Sequence, residues 1–359
     1  MSTLRVTAEQ LTIHPHPDAD ALELAQVGLF HAVVAKGAYR TGDWAVYIPE
    51  NALLPEGLVE EIGLTGKLAG SKRNRVKAIR LRGELSQGIV CRPAQLADRD
   101  LAAEHEAGTD FSGELGITKW VPEVPLHMSG EAVAAPDLLK WIEIENVKRY
   151  PDVFEPGEPV VATEKIHGSA CLYTYVAATG EGFVSSKGQG AKNLALARSE
   201  DNLYWKAVIA HGVPEAARKA AERFGADRVG VFGEVFGTGV QDLAYGETGR
   251  SDHPGYAVFD VRVDAGGAHT WIDAADLPEL LEDLDLPQAP TVHEGPYDEV
   301  ELLAAAQGEE TWSGAGLHLR EGVVVRPARE RFSKVLVGRA IVKFVSDAYL
   351  TRKGGTEYE

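Results

Sequence analysis

The chain has 359 residues, 44% hydrophobic and 25% charged, the balance of a soluble globular protein with room for two cores. No apolar run approaches the roughly 20 residues that span a bilayer, the opening "MSTLRVTAEQ" is not a secretory leader, and Cys91 and Cys171 are too few for a disulfide framework or a cysteine-rich zinc site, so a reducing cytoplasm without a membrane partner is expected. A formal net charge of −18 excludes a surface that attracts polyanions everywhere, and any contact with nucleic acid must be local.

In chain order, "LELAQVGLFHAVVAKG", "GDWAVYIPE", "RVKAIRLRG" and "QGIVCRP" are short apolar segments separated by Gly-Asp and Gly-Glu turns, which predicts a small antiparallel barrel within residues 1–120. The early "HPHPDAD" offers His14, His16, Asp18 and Asp20 to a metal, but Pro15 and Pro17 stiffen it and a turn is the simpler reading. "HPDADALELAQVG" is similar to the start of OB-type tRNA-binding domains. One stretch, Gly66 to Gly83, carries Lys67, Lys72, Arg73, Arg75, Lys77, Arg80 and Arg82 and no acid. In "RVKAIRLR" the basic residues interleave with Val76, Ala78, Ile79 and Leu81, so one face is basic while the other packs, with a bulge at Ala78 or Ile79. Lys72, Arg73, Arg75, Lys77 and Arg80 are the candidates for a phosphate backbone; the alternative is a solvated barrel face.

Residues 121–136 are Pro-rich and aperiodic and read as a linker, leaving residues 137–359 as a second domain. There "ACLYTYVA", "EGFVSSKG", "RVGVFGEVFG", "GYAVFDVRV", "EGVVVRP" and "AIVKFVS" predict strands, and "NLYWKAVIAHG", "PEAARKAAERFG" and "LPELLEDL" predict helices. Strands and helices do not alternate strictly, so the fold class is α+β rather than a doubly wound sheet.

"VVATEKIHG" sets Lys165 at the end of an apolar strand and before a glycine. A lysine has an unperturbed pKa of about 10.4 and becomes a nucleophile near neutral pH only when desolvated or placed beside positive charge. Alone, the segment fits an ordinary surface lysine better. Other segments change that balance: Glu234 in "FGEVFG" and Glu321 in "EGVVVRP" are carboxylates in apolar settings, costly unless a cation meets them, and hydrated Mg²⁺ is the natural partner. Lys343 in "AIVKFVS" and Phe259 in "YAVFDV" add a cation and an aromatic platform.

The ordered set "EKIHG", "FGEVFG", "YAVFDV", "EGVVVRP", "IVKFVS" resembles the covalent nucleotidyltransferase superfamily of polynucleotide ligases and RNA capping enzymes. His167, where DNA ligases typically carry Asp, and "FGTGVQDLAYG" look like the RNA ligases. An extra domain in front, with the chain ending soon after Lys343, resembles the Deinococcus-type, fifth RNA ligase family, whose members pair an N-terminal OB-like domain with a C-terminal catalytic domain; this likeness covers nearly the whole chain. It implies an ATP-dependent ligase in which Lys165 takes AMP from ATP, passes it to a 5′-phosphate and lets a 3′-hydroxyl displace it. The expected substrate is a nicked duplex with RNA on the 3′-hydroxyl side, the metal Mg²⁺ or Mn²⁺, and the enzyme a monomer.

By position, the resemblance makes Lys165 the catalytic residue and assigns Glu164, Ile166, His167, Gly168, Lys187, Glu234, Phe259, Glu321 and Lys343 to the nucleotide, with Glu234 and Glu321 also directing the metal through water. Two features depart from the pattern: Phe344 and Val345 follow Lys343 where a second lysine is usual one residue on, and Gly188 follows Lys187 in place of Arg. Arg149 in "VKRYP" is a candidate for the missing charge. The rival readings are a DNA ligase, a capping-type guanylyltransferase and a catalytically silent RNA-binding module.

Overall fold

The computed structural model describes residues 3–122, 128, 130–246 and 254–355. The chain forms two compact units, Met1–Val121 with Glu145–Pro151, and Pro122–Ile144 with Asp152–Glu359.

In the first unit, strands Thr7–Gln10, Trp44–Ile48 and Ile89–Cys91 form one antiparallel sheet, and Thr12–Pro15, Leu22–Val27 and Phe30–Ala35 form another. The strand Trp44–Ile48 is apolar throughout because both of its faces are covered. Val46 and Ile48 pack with Val6, Leu54, Val76 and Phe111, whereas Ala45 and Tyr47 point the other way, to Leu11, Ala25 and Phe30. "HPHPDAD" is a turn, in which His16 Nε2 lies 3.0 Å from the Leu81 carbonyl and Nδ1 accepts from the Asp18 amide.

The basic stretch is not one continuous strand. Val76 and Ala78 are buried and Lys77 is half-exposed between them, but the alternation stops where a bulge was expected, and Ile79, Arg80 and Leu81 are all exposed. Ile79–Leu81 pairs with Glu84–Ser86 across a two-residue turn, Arg82 and Gly83, with φ of 50° and 93°, the signs a type I′ hairpin requires. Lys72, Arg73 and Arg80 face solvent. Arg75 does not: its guanidinium carbon lies 3.2 Å from the centre of the Trp120 ring and it donates to Asn51 Oδ1.

The second unit is built on two sheets. One runs in the order Ala132–Ala134, Leu194–Leu196, Glu181–Ser186, Ser169–Val176, Arg228–Phe236, Gly255–Ala265, Ala268–Trp271. The other contains Val342–Val345, Gly322–Pro327, Pro159–Glu164 and Thr291–Pro296 in that order. Every predicted strand and helix of this unit is present. The helix Val213–Phe224 shows why: Val213, Ala216, Ala217, Ala220 and Ala221 recur on one buried face, Glu215, Arg218 and Glu222 form ion pairs on the other, and Gly225 ends it in the left-handed conformation. That face packs on Val229, Val231 and Val261 of the large sheet.

The stretch expected as a linker is not featureless. Residues 123–127 and 129 lie outside the described residues, but Ala132–Ala134 is a strand paired with Leu194–Leu196. Nor is there a single boundary, since Glu145–Pro151 belongs to the first unit.

Candidate active site

Lys165 follows the last residue of the strand Pro159–Glu164, and Glu321 precedes the first of its antiparallel neighbour Gly322–Pro327. Glu164 pairs with Val323 and the Lys165 amide donates to the Gly322 carbonyl at 2.9 Å, so the register brings Lys165 and Glu321 to the same sheet end. Lys165 Nζ lies 2.7 Å from Glu321 Oε1. Gly322 has φ of +155°, and a Cβ there would overlap the Phe344 carbonyl oxygen. Gly168 permits an equally close approach: a Cβ would overlap the Val235 carbonyl oxygen and crowd Glu234. Glu234 is thereby laid against the Lys165 turn.

Burial pulls the Lys165 pKa down, but Glu321 and then Glu234 outweigh it and the value is raised. Burial pushes Glu321 up, yet the Lys165 charge and His167 hold it down at about 2. Glu234 goes the other way: burial, reinforced by Glu321, pushes it up to about 7 against the pull of Lys165. Lys165 is thus an ammonium ion held by a carboxylate, poised but not nucleophilic. Glu321 Oε2 is buried with no hydrogen-bond partner among the described residues, and His167 Nδ1 lies 3.7 Å from it. An orphaned carboxylate oxygen next to a second, hard-to-ionise carboxylate fits a divalent cation. No group of three or more ligating side chains exists among the described residues, so Glu234 and Glu321 would hold such an ion largely through water.

His167 is almost wholly enclosed. Its amide donates to the Tyr245 hydroxyl at 2.7 Å, Nε2 lies 2.8 Å from Asp242 Oδ1 and Nδ1 lies 2.9 Å from the Tyr349 hydroxyl. A carboxylate only accepts, so Nε2 carries a proton in the Asp242 contact. Burial lowers the imidazole pKa, but Asp242 and Glu321 together raise it. Glu164 is buried as well; Oε2 accepts from the Thr311 amide and hydroxyl at 2.7 and 2.5 Å, while Oε1 has no hydrogen-bond partner.

Beside this cluster, Phe259 occupies a register shift: Phe232 pairs with Asp260 and Gly233 with Val258, leaving Phe259 as the extra residue of a bulge. Its half-buried ring packs with Ile166, Tyr245 and Ala289, and Trp141 lies 6.0 Å away with a buried Nε1 that lacks a partner. Lys187 opens the short helix Lys187–Gly190 and pairs with Glu143 at 2.8 Å. Lys343 is opposite Val324, which in turn pairs with Thr163, so Lys343 lies two strands over from the strand that leads into Lys165. The second unit therefore holds Glu164, Lys165, Ile166, His167, Gly168, Glu234, Phe259 and Glu321 around one region. Arg149 is engaged within the first unit, donating to the Arg5 carbonyl and Thr7 Oγ1.

Sequence reasoning missed Asp242, Tyr245, Trp141, Thr311, Tyr349 and Arg352. Asp242 and Tyr245 sit inside "FGTGVQDLAYG", a stretch that stood out without its roles being readable; the other four belong to segments with no motif.

A family model described as RNA ligase matches residues 158–345, and one described as an OB-fold domain matches residues 5–93. The first match covers more than half of the chain, and the chain belongs to the RNA ligase family. It consists of an N-terminal OB-fold domain followed by a nucleotidyltransferase-type ligase domain. Solved structures of Naegleria gruberi RNA ligase share the fold. A Lys-to-Ala mutant with ATP and Mn aligns with a TM-score of 0.78 at 22% identity, over 96% of this chain and 98% of that one. A Glu-to-Ala mutant with AMP and Mn gives 0.77 at 22% identity over 96% and 97%, and the protein with PPi gives 0.76 at 22% over the same shares. No curated protein matches the chain by sequence. No helix among the described residues is long and apolar enough to cross a membrane.

Proposed function

We propose that the protein is an ATP-dependent RNA ligase that joins 3′-hydroxyl and 5′-phosphate ends through a lysyl-AMP intermediate on Lys165. The observation that carries this reading is the 2.7 Å pair between Lys165 and the buried Glu321, whose other oxygen is orphaned. The Naegleria gruberi ligase of the same fold has been solved with ATP and Mn, with AMP and Mn and with PPi. Glu321 and Glu234 would hold a divalent ion, largely through water, and its charge would offset that of the triphosphate. Lys165 gives up its proton to solvent and attacks the α-phosphorus, the bond from that phosphorus to the bridging oxygen breaks, and pyrophosphate leaves. An oxygen of a 5′-phosphate then attacks the same phosphorus and breaks the N–P bond, and a 3′-hydroxyl finally displaces AMP. Each step is an in-line displacement in which this chain contributes positioning and charge neutralisation. Phe259 provides the adenine platform, Lys343 and Lys187 contact the nucleotide, and His167 and Gly168 line the pocket.

His167 and an OB-fold domain in front of the catalytic domain favour the Deinococcus-type family, and a duplex nick with RNA on the 3′-hydroxyl side as the substrate. In the first unit, Lys72, Arg73, Lys77 and Arg80 are the backbone contacts; Arg75 is withdrawn from that role by its stacking on Trp120.

Incubation with α-labelled ATP and Mg²⁺ tests the reading. A protein-bound label on the wild type that withstands alkali, is released by acid and is lacking in Lys165→Ala is the expected result, and an unlabelled wild type overturns it. Label from GTP instead would mark a capping-type enzyme, and equal sealing of all-DNA nicks a DNA ligase. Neutralising Lys72, Arg73, Lys77 and Arg80 together is expected to weaken nick sealing most at low salt and to flatten its salt dependence, while sparing adenylylation.

A further inference from the structure

The residues after the last strand of the site fold back onto it. The Ser346 amide donates to the Glu321 carbonyl at 2.8 Å, and Ser346 Oγ accepts from the Tyr349 amide to cap the turn Asp347–Leu350. This brings Tyr349 edge-on to His167, with ring centres 5.2 Å apart. Arg352 then lies flat on Tyr349, its guanidinium carbon 3.7 Å from the ring centre, with Nη1 donating to the Tyr349 carbonyl at 3.0 Å. Nε lies 3.3 Å from Asp242 Oδ2 and Nη2 lies 3.4 Å from both Asp242 Oδ1 and His167 Nε2. Its side chain is only 9% exposed. A guanidinium held this way on an aromatic face and a carboxylate is oriented in advance, which a flexible surface arginine is not.

This part of the site is otherwise acidic, with Glu234, Glu321 and Asp242 close to Lys165 and His167, a poor environment for a polyphosphate. The sequence also lacks the second lysine usual after Lys343, and Arg149 is committed to the first unit. We propose that Arg352, aimed by Asp242 and Tyr349, is a further substrate-binding cation that receives the phosphates of the nucleotide beyond the one Lys165 attacks. Asp242 and Tyr349 are positioning residues in this scheme. The charge of Arg352 also opposes the protonation of Lys165, the direction a nucleophile needs.

The proposal rests on the ligase reading, and its test separates the two. Label transfer from ATP to Lys165 is measured over a range of ATP concentrations, and in parallel the sealing of a nick whose 5′ end is already adenylylated, a step that involves no polyphosphate. Arg352→Gln is expected to raise the KM for ATP by about tenfold or more, the scale of one charge-assisted hydrogen bond, while sealing the adenylylated nick nearly as fast as the wild type. A smaller rise, or equal losses on both substrates, overturns the proposal. Should the glutamine variant fail to fold, Arg352→Lys, which keeps the charge and the stem over Tyr349, serves instead: a loss confined to ATP supports the proposal and an unselective one overturns it. A wild type that takes no label from ATP would instead refute the ligase reading itself.

Discussion

Two clusters of buried charge lie in the second unit, and they differ in whether their carboxylates are satisfied. Asp260 has both oxygens occupied, Oδ1 by Arg326 at 2.9 Å and Oδ2 by Arg339 at 2.6 Å, and Arg339 is also paired with Glu330 and stacked 3.8 Å from the Trp271 ring centre. In the Lys165 cluster a single ammonium ion serves Glu321 and faces Glu234, one Glu321 oxygen is orphaned and Glu234 is pushed up to about 7. A carboxylate with both oxygens paired is a strut that ties a sheet strand to its neighbours. An unsaturated one costs folding energy and is kept where a substrate or ion completes it. Phe259 adjoins Asp260 in sequence, so the two clusters meet on one strand.

The contrast breaks if the clusters respond alike to mutation. Asp260→Ala should show the largest effect, a loss of about 3–5 kcal/mol of stability in denaturant unfolding, because it takes the paired carboxylate from the buried Arg326 and leaves Arg339 with Glu330 alone; adenylylation per folded molecule should stay close to wild type. Glu321→Gln should do the reverse, slowing single-turnover adenylylation by about 10²-fold or more, the scale of losing a preorganised electrostatic partner, while the fold persists. Phe259→Ala should come next, weakening ATP binding by about 1–3 kcal/mol if the ring stacks on the base, read as a raised KM with the lysine still labelled at saturation.

The smallest effect sharpens the electrostatics. With metal and ATP absent, the raised pKa keeps Lys165 protonated through neutral pH, so its modification by an amine-selective reagent should rise steadily as pH increases toward the ordinary lysine range near 10.4. Glu321→Gln removes the foremost raising partner and should increase labelling at pH 8, measured by mass spectrometry of the Lys165 peptide. Unchanged labelling in that variant would mean that Glu321 does not govern the lysine.

Much of this site could be read from the chain because its parts are strand ends. Lys165, Glu321, Glu234 and Phe259 each sit in or beside an apolar run with a glycine nearby, and Gly168 and Gly322 mark the places where backbones approach too closely for a Cβ. Strand periodicity and steric exclusion are local, so they survive in one dimension. Arg75 shows the limit: in sequence it is one of seven basic residues, and only the fold, by bringing Trp120 and Asn51 to it, takes it off the exposed face.

By itself the sequence determined the α+β class and a barrel-like front before a ligase-type back, and it singled out Lys165, the nucleophile proposed above, with Glu234, Phe259 and Glu321. Tertiary structure decided which charges are satisfied. That Asp260 is saturated and Glu321 is not, that Asp242, Tyr245 and Tyr349 enclose His167, and that Arg352 stands beside it depend on contacts between segments up to 185 residues apart. Side-chain hydrogen bonding across such separations leaves no periodic trace, because only the register of the sheets and the path of the closing turn bring the partners within reach.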